Sequence, residues 1–125
     1  IRIVNHAGYL SHTNELFCKN NILKITDLFV YICRDIHIQF AVKELPEIFV
    51  HMFRRNSQIH TYPTRQSYAY HLPRTRTIFA KKTIMFTGPK YWNDLPMEIT
   101  HSPSLYVFKR KLKLLLFNEY TVQDV

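Results

Sequence analysis

The sequence predicts a mainly α fold of the α+β kind, with four or five helices around a basic, loop-rich middle that has room for a small antiparallel strand pair. Apolar residues recur at helical steps in residues 13–53 and again in 89–117. Between them, residues 54–87 carry Pro63 and Pro73 among many Ser, Thr, Asn, Gln and Tyr, with no sustained period. A chain of 125 residues, 46% hydrophobic and 21% charged, suffices for one domain with its own core, and 1–125 is read as one such domain or fragment.

Each element has its local reason. Thr13 is placed to cap a short helix through Leu16, Phe17 and Cys18, which stops at Asn20 and Asn21. Thr26 is placed to cap a longer one over 27–43, with Asp27 in the first turn where the helix dipole favours a carboxylate. Its apolar stripe is Leu28, Phe29, Ile32, Cys33, Ile36 and Phe40, with Arg34, Asp35 and Lys43 off it. Pro46 ends that helix and opens a short one through Ile48, Phe49, Met52 and Phe53.

Tyr68–Leu72 and Thr83–Thr87 have the aromatic and β-branched character of a strand pair. Gly88 and Pro89 then break the second strand, and Pro89 starts a one- or two-turn helix containing Tyr91, Trp92 and Leu95. Ser102 and Pro103 mark the start of the last helix, whose arc is Leu105, Phe108, Leu112, Leu115 and Leu116. Val107 and Leu114 give that helix a second apolar face.

Several function classes drop out. Two glycines rule out a Gly-rich nucleotide-cradling loop, and the longest unbroken apolar run, Leu28 to Cys33, is far short of the about 20 residues that span a membrane. The opening stretch lacks the apolar core of a signal peptide, so an intracellular location, nucleus or cytoplasm, is expected. Cys18 and Cys33 are expected as reduced thiols, since two isolated cysteines make no disulfide scaffold. The first residue is Ile1 and not Met, so the chain is expected to be processed or cut from something longer.

No catalytic constellation is visible. The four aspartates, at 27, 35, 94 and 124, have no acidic neighbour, which leaves a two-metal phosphoryl-transfer site no obvious carboxylate supply. Cys33 and His37 stand four residues apart on a helix, yet the other histidines follow no ligand spacing, so neither a metal nor a cofactor is expected. Nor is a small-molecule substrate.

Charge is the informative property. The net +8 is unevenly placed: residues 1–47 hold five bases and five acids, and residues 94–125 hold four of each. Residues 48–93 carry Arg54, Arg55, Arg65, Arg74, Arg76, Lys81, Lys82 and Lys90 with no acid. Such a segment repels itself and favours a polyanionic partner. Aromatic residues interleave with the bases, including Tyr62, Tyr68 and Tyr70, and aromatic faces stack on unpaired bases. RNA or DNA is therefore the expected partner, in place of a membrane surface. Arg54, Arg55, Arg65, Arg74, Arg76, Lys81 and Lys82 are read as phosphate contacts, and Tyr62, Tyr68 and Tyr70 as stacking residues. His51, His60 and His71 lie in the same segment and can add charge or hydrogen bonds to phosphate. Trp92 is read as core, and the Lys109-Arg110-Lys111 run as either a solvated face or a further contact.

The stretch GPKYWNDLPMEITHSPSLYVFKRKLKLLLF, residues 88–117, resembles the C-terminal tail of the polyprotein of non-LTR retrotransposons, the LINE-type reverse transcriptases of jockey-like elements. The segments ILKITDLFVYICRDIHIQF, LPEIF and HTYPTRQSYAYHLPRTRT look like the same tail, so the similarity runs from about Leu16 to Phe117. The resemblance implies a non-catalytic segment of an RNA-directed DNA polymerase that follows the thumb and helps hold template RNA or target DNA. Polymerase and endonuclease centres would lie upstream, and the second face of the last helix would rest on the remainder of that polypeptide. The competing expectations are a helical scaffold packing on the polymerase body or another protein, and a relic fragment without function.

Overall fold

The computed structural model describes residues 1–122, and within them the chain is mainly helical. The α-helices are α1 (Thr13–Lys19), α2 (Ile25–Ala41), α3 (Asn56–Ile59), α4 (Ile84–Asn93), α5 (Met97–Thr100) and α6 (Leu105–Val122). Short 3-10 turns occupy Glu47–Phe49 and Ala80–Lys82. No helix among the described residues is long and apolar enough to cross a membrane. The core forms where α2, α4, α5 and α6 meet, around Ile38, Leu95, Ile99, Phe108 and Leu112.

The helix ends are closed mainly by backbone geometry. Asn21 takes a left-handed φ of 56° after α1, and the Ile22 and Asn21 amides donate to the Phe17 and Cys18 carbonyls, a Schellman closure. α2 ends the same way at Lys43, φ 60°, with the Glu44 and Lys43 amides donating to Gln39 and Phe40. That closure, two residues after Ala41, stops α2 before the expected end at 43. Neither Thr13 nor Thr26 caps its helix: the N-cap residues are His12 and Lys24, and Thr26 lies within the first turn of α2. α6 is capped by Ser104, whose hydroxyl accepts the Val107 amide at 3.3 Å, while Ser102 donates its hydroxyl to Ile99 instead.

The last helix buries the arc its spacing predicts. Phe108, Leu112 and Leu116 are fully enclosed, Leu105 and Leu115 pack partly against the core, and Leu114 stays exposed. Tyr120 extends the arc by one turn. Its hydroxyl accepts the Lys24 amide at 2.9 Å at the start of α2, and the Tyr120 carbonyl accepts from the Asn14 side chain of α1. Burial, with a hydrogen bond to Asp27, pushes the Tyr120 phenol up to about 12. Lys109 pairs with Asp35 at 3.4 Å and Lys111 donates to the Glu98 carbonyl, so two members of the basic run brace α6 on its neighbours.

Two expectations are corrected by long-range packing. Residues 84–87 are the start of a helix and not a strand, with Thr83 as the N-cap, and α4 runs through both Gly88 and Pro89. Strand preference spans only about 1 kcal/mol and yields to tertiary contact. Here the contact is close: a Cβ on Gly88 would stand 2.9 Å from Cζ of Phe53. The Ile48–Phe53 segment likewise forms only a 3-10 turn, with Phe53 drawn into the core at its end.

The buried face of α2 is also rotated from the predicted stripe. Cys33 and Ile38 are buried, but so are Arg34 and His37, while Leu28, Phe29 and Ile32 remain substantially exposed. Arg34 reaches the Tyr91 carbonyl of α4 with its Nε at 3.1 Å. His37 is fully enclosed. Its imidazole stacks between Phe53 at 4.5 Å and Trp92 at 4.7 Å, and Tyr70 meets it edge-on at 4.2 Å. Neither ring nitrogen has a hydrogen-bond partner among the described residues. Burial first, then the nearby Arg55 charge, lowers its pKa to about 3.

Gly88→Ala tests the close approach. An alanine gains about 1 kcal/mol of helix propensity, but overpacking a filled core costs about 1–3 kcal/mol, and the Phe53 ring is held by His37 and Phe40. A lowered urea midpoint is expected; an unchanged or raised one would show that the ring gives way. A second outcome concerns acid. The unfolded chain protonates His37 below its ordinary 6.5 while the folded chain resists until about 3. Stability therefore falls as pH drops through that window, by about 2 kcal/mol at pH 5 relative to neutral. Denaturation of the wild type and His37→Phe at pH 7 and pH 5 should show a smaller acid loss in the variant.

Candidate nucleic-acid interface

The basic segment leaves the core at Phe53 and returns to it at Tyr70. Between those points it folds back on itself by antiparallel pairing, with a bridge between Arg55 and Tyr70. The His71 amide donates to the Arg54 carbonyl at 2.7 Å, Asn56 to Ala69 at 2.9 Å, and Ser57 to Ser67 at 3.0 Å. The antiparallel contact thus joins Tyr70 to Arg55, and not to residues 83–87. Gln58 supports the short α3 by accepting the Arg55 amide with its side chain.

Tyr70 is the anchor of this layout. Asn93, at the end of α4, accepts the Tyr70 amide at 3.1 Å and donates its own side-chain amide to the Tyr70 carbonyl at 2.9 Å. Both backbone groups of a buried residue are thereby satisfied from one side chain. Tyr70 is 5% exposed. The Arg55 guanidinium lies 4.5 Å from its centroid and His37 packs on it from within. In this packing the Tyr70 ring offers no face to an incoming base, which corrects the sequence reading of it as a stacking residue.

Arg55 is exposed but engaged, donating to the Tyr68 carbonyl and, at 3.5 Å, to the Tyr70 hydroxyl. The remaining candidates differ. Arg54, Arg65, Arg74, Arg76, Lys81 and Lys82 are all exposed, and none makes a side-chain hydrogen bond or ion pair among the described residues. The sole ion pair in that set is Lys109 with Asp35, outside the segment. Tyr62 and Tyr68 are 63% and 71% exposed, and Tyr62 is stacked on His60 at 5.4 Å.

The backbone pairing brings Arg54 and Arg55 beside His71 and Tyr70, with Arg65 near the turn that joins the two paired stretches. Arg74 and Arg76 lie on the irregular stretch beyond, and Lys81 and Lys82 on the 3-10 turn before α4. Among the described residues no hydrogen bond or ion pair ties these four to Arg54, so the site is a run of solvated cations along one continuous segment.

Sequence reasoning missed two groups that build this interface. Asn93 was legible only as part of a Trp-Asn pair, and His37 only as a possible ligand with Cys33. Cys33 is buried with its Sγ 3.4 Å from the Thr87 hydroxyl. Among the described residues no three His, Cys, Asp or Glu side chains are gathered to hold a metal. Trp92 is half-buried against the core, stacked on His37 and, at 5.8 Å, on Phe108. No family model, no curated protein and no solved structure matches the chain.

Proposed function

We propose that this chain is a non-catalytic C-terminal segment of an RNA-directed DNA polymerase of a non-LTR retrotransposon, contacting template RNA or target DNA through its basic segment. One observation carries the nucleic-acid half of that reading. Arg54, Arg65, Arg74, Arg76, Lys81 and Lys82 remain in solvent with no ion pair to a carboxylate among the described residues, although the same chain does pair Lys109 with Asp35. Cations left exposed and unpaired along one segment are available to phosphate. The parentage rests on the resemblance of residues 16–117 to the retrotransposon tail.

A second reading is favoured by a different surface. Ile25, Leu28, Phe29 and Ile32 form an exposed apolar stripe at helical spacing on α2, which suits a scaffold that packs on another protein. The two readings separate in salt. Six phosphate contacts give a log–log slope of binding against salt of about −5 on duplex DNA, shallower on single strands, whereas a scaffold shows none.

The Arg74→Ala, Arg76→Ala double variant should reduce that slope by about 2 and weaken every nucleic-acid sequence alike, because phosphate contacts carry no base information. Fluorescence anisotropy over a salt series with several unrelated oligonucleotides reads both quantities. Loss confined to one sequence would reassign these arginines to base readout.

A further inference from the structure

Beside Arg54 an open cavity of about 280 Å³ lies between the 51–54 turn, α3, the His71–Pro73 stretch and the first half of α4. Its lining is of two kinds. Phe53, Ile59 and Met85 are apolar, while His51, Arg54 and His71 contribute imidazole and guanidinium groups. The volume is near the lower end of small-molecule clefts, about 300–1,000 Å³, which suits one flat ring system and not an extended ligand. An apolar bed with a guanidinium at its side matches a nucleobase with its adjoining phosphate.

A row of rings leads away from the same place. His71, on the cavity wall, meets His60 edge-on at 6.4 Å, and His60 in turn stacks on Tyr62 at 5.4 Å. Tyr62 is largely exposed, so its outer face is open to a second base. Bases paired in a duplex are stacked on one another and cannot enter such a recess, whereas the splayed bases of a single strand can.

We infer that this cavity receives one unpaired base of a bound single strand, with Arg54 on the adjoining phosphate and Tyr62 beneath a neighbouring base. The inference deepens the nucleic-acid reading above and rests on it. It makes the partner single-stranded: the solvated cations hold either form, and the recess adds affinity only for the unpaired one.

The test uses the full chain, an eight-residue oligouridylate and an RNA duplex of equal length. Carbon-edited NMR follows the Met85 methyl and the His51 and His71 ring protons, assigned with Met85→Leu, His51→Gln and His71→Gln. The single strand is expected to shift the Met85 methyl and the His71 ring, while the duplex binds without moving Met85. His71→Ala or Ile59→Ala should weaken single-strand binding, by up to about fivefold for the loss of one stacked base, and leave duplex binding unchanged. Salt-dependent binding of both forms with a silent Met85 methyl, or equal shifts from both, would overturn the cavity assignment and leave the basic-segment reading standing. Failure of both oligonucleotides, and of a DNA duplex of equal length, to bind would overturn the two together.

Discussion

The neutral imidazole of His37 is the piece on which the rest of the molecule depends. It lies on α2, between Phe53, at the end of the stretch that follows α2, and Trp92 on α4, with Tyr70 at its edge. Four separate stretches of chain therefore share one ring. Gly88 allows the approach by leaving no Cβ against Phe53. Protonation inside that stack would place a charge among aromatic faces close to the Arg55 guanidinium, so enclosure and neutrality are the same condition.

From that stack the arrangement of the basic segment follows. Phe53 and Tyr70 are its two fixed points, and Asn93 holds the second by both backbone groups. What lies between and beyond is polar chain that buries little, with Arg55 folded over Tyr70 and the other cations outside. The aromatic residues of the segment thus divide by position. The fixed points themselves, Phe53 and Tyr70, are core, and Tyr62 and Tyr68 on the intervening loop are in solvent.

The same division explains what could be read in the sequence. α6 was legible almost completely because its arc packs onto a core built from its own period, Phe108, Leu112 and Leu116. Helix existence in the first third was legible too, but α2 presents Arg34 and His37 inward, since α4 and α6 both pack on it and one stripe does not serve two neighbours. The strand character of residues 83–87 misled because the deciding contact, Phe53 against Gly88, spans 35 positions. At the candidate site the exposed cations were legible from composition alone. The burial of Tyr70 was not, because it depends on Asn93 and His37, neither of which stands near it in the chain.

Charge and core are also arranged so that neither disturbs the other. Exposed like charges repel through water weakly, and at physiological salt the repulsion fades within about 8 Å. A guanidinium moved into the core would instead carry the full cost of desolvation. Arg34 shows the terms on which burial is tolerated: its Nε has the Tyr91 carbonyl, and the Glu119 and Asp94 carboxylates partly offset the desolvation that lowers its pKa. The middle segment has no acid to offer such terms, which leaves solvent as the place where its arginines and lysines can sit. A segment without carboxylates is thus kept on the outside by its own composition, and the fold needs to secure only its two ends.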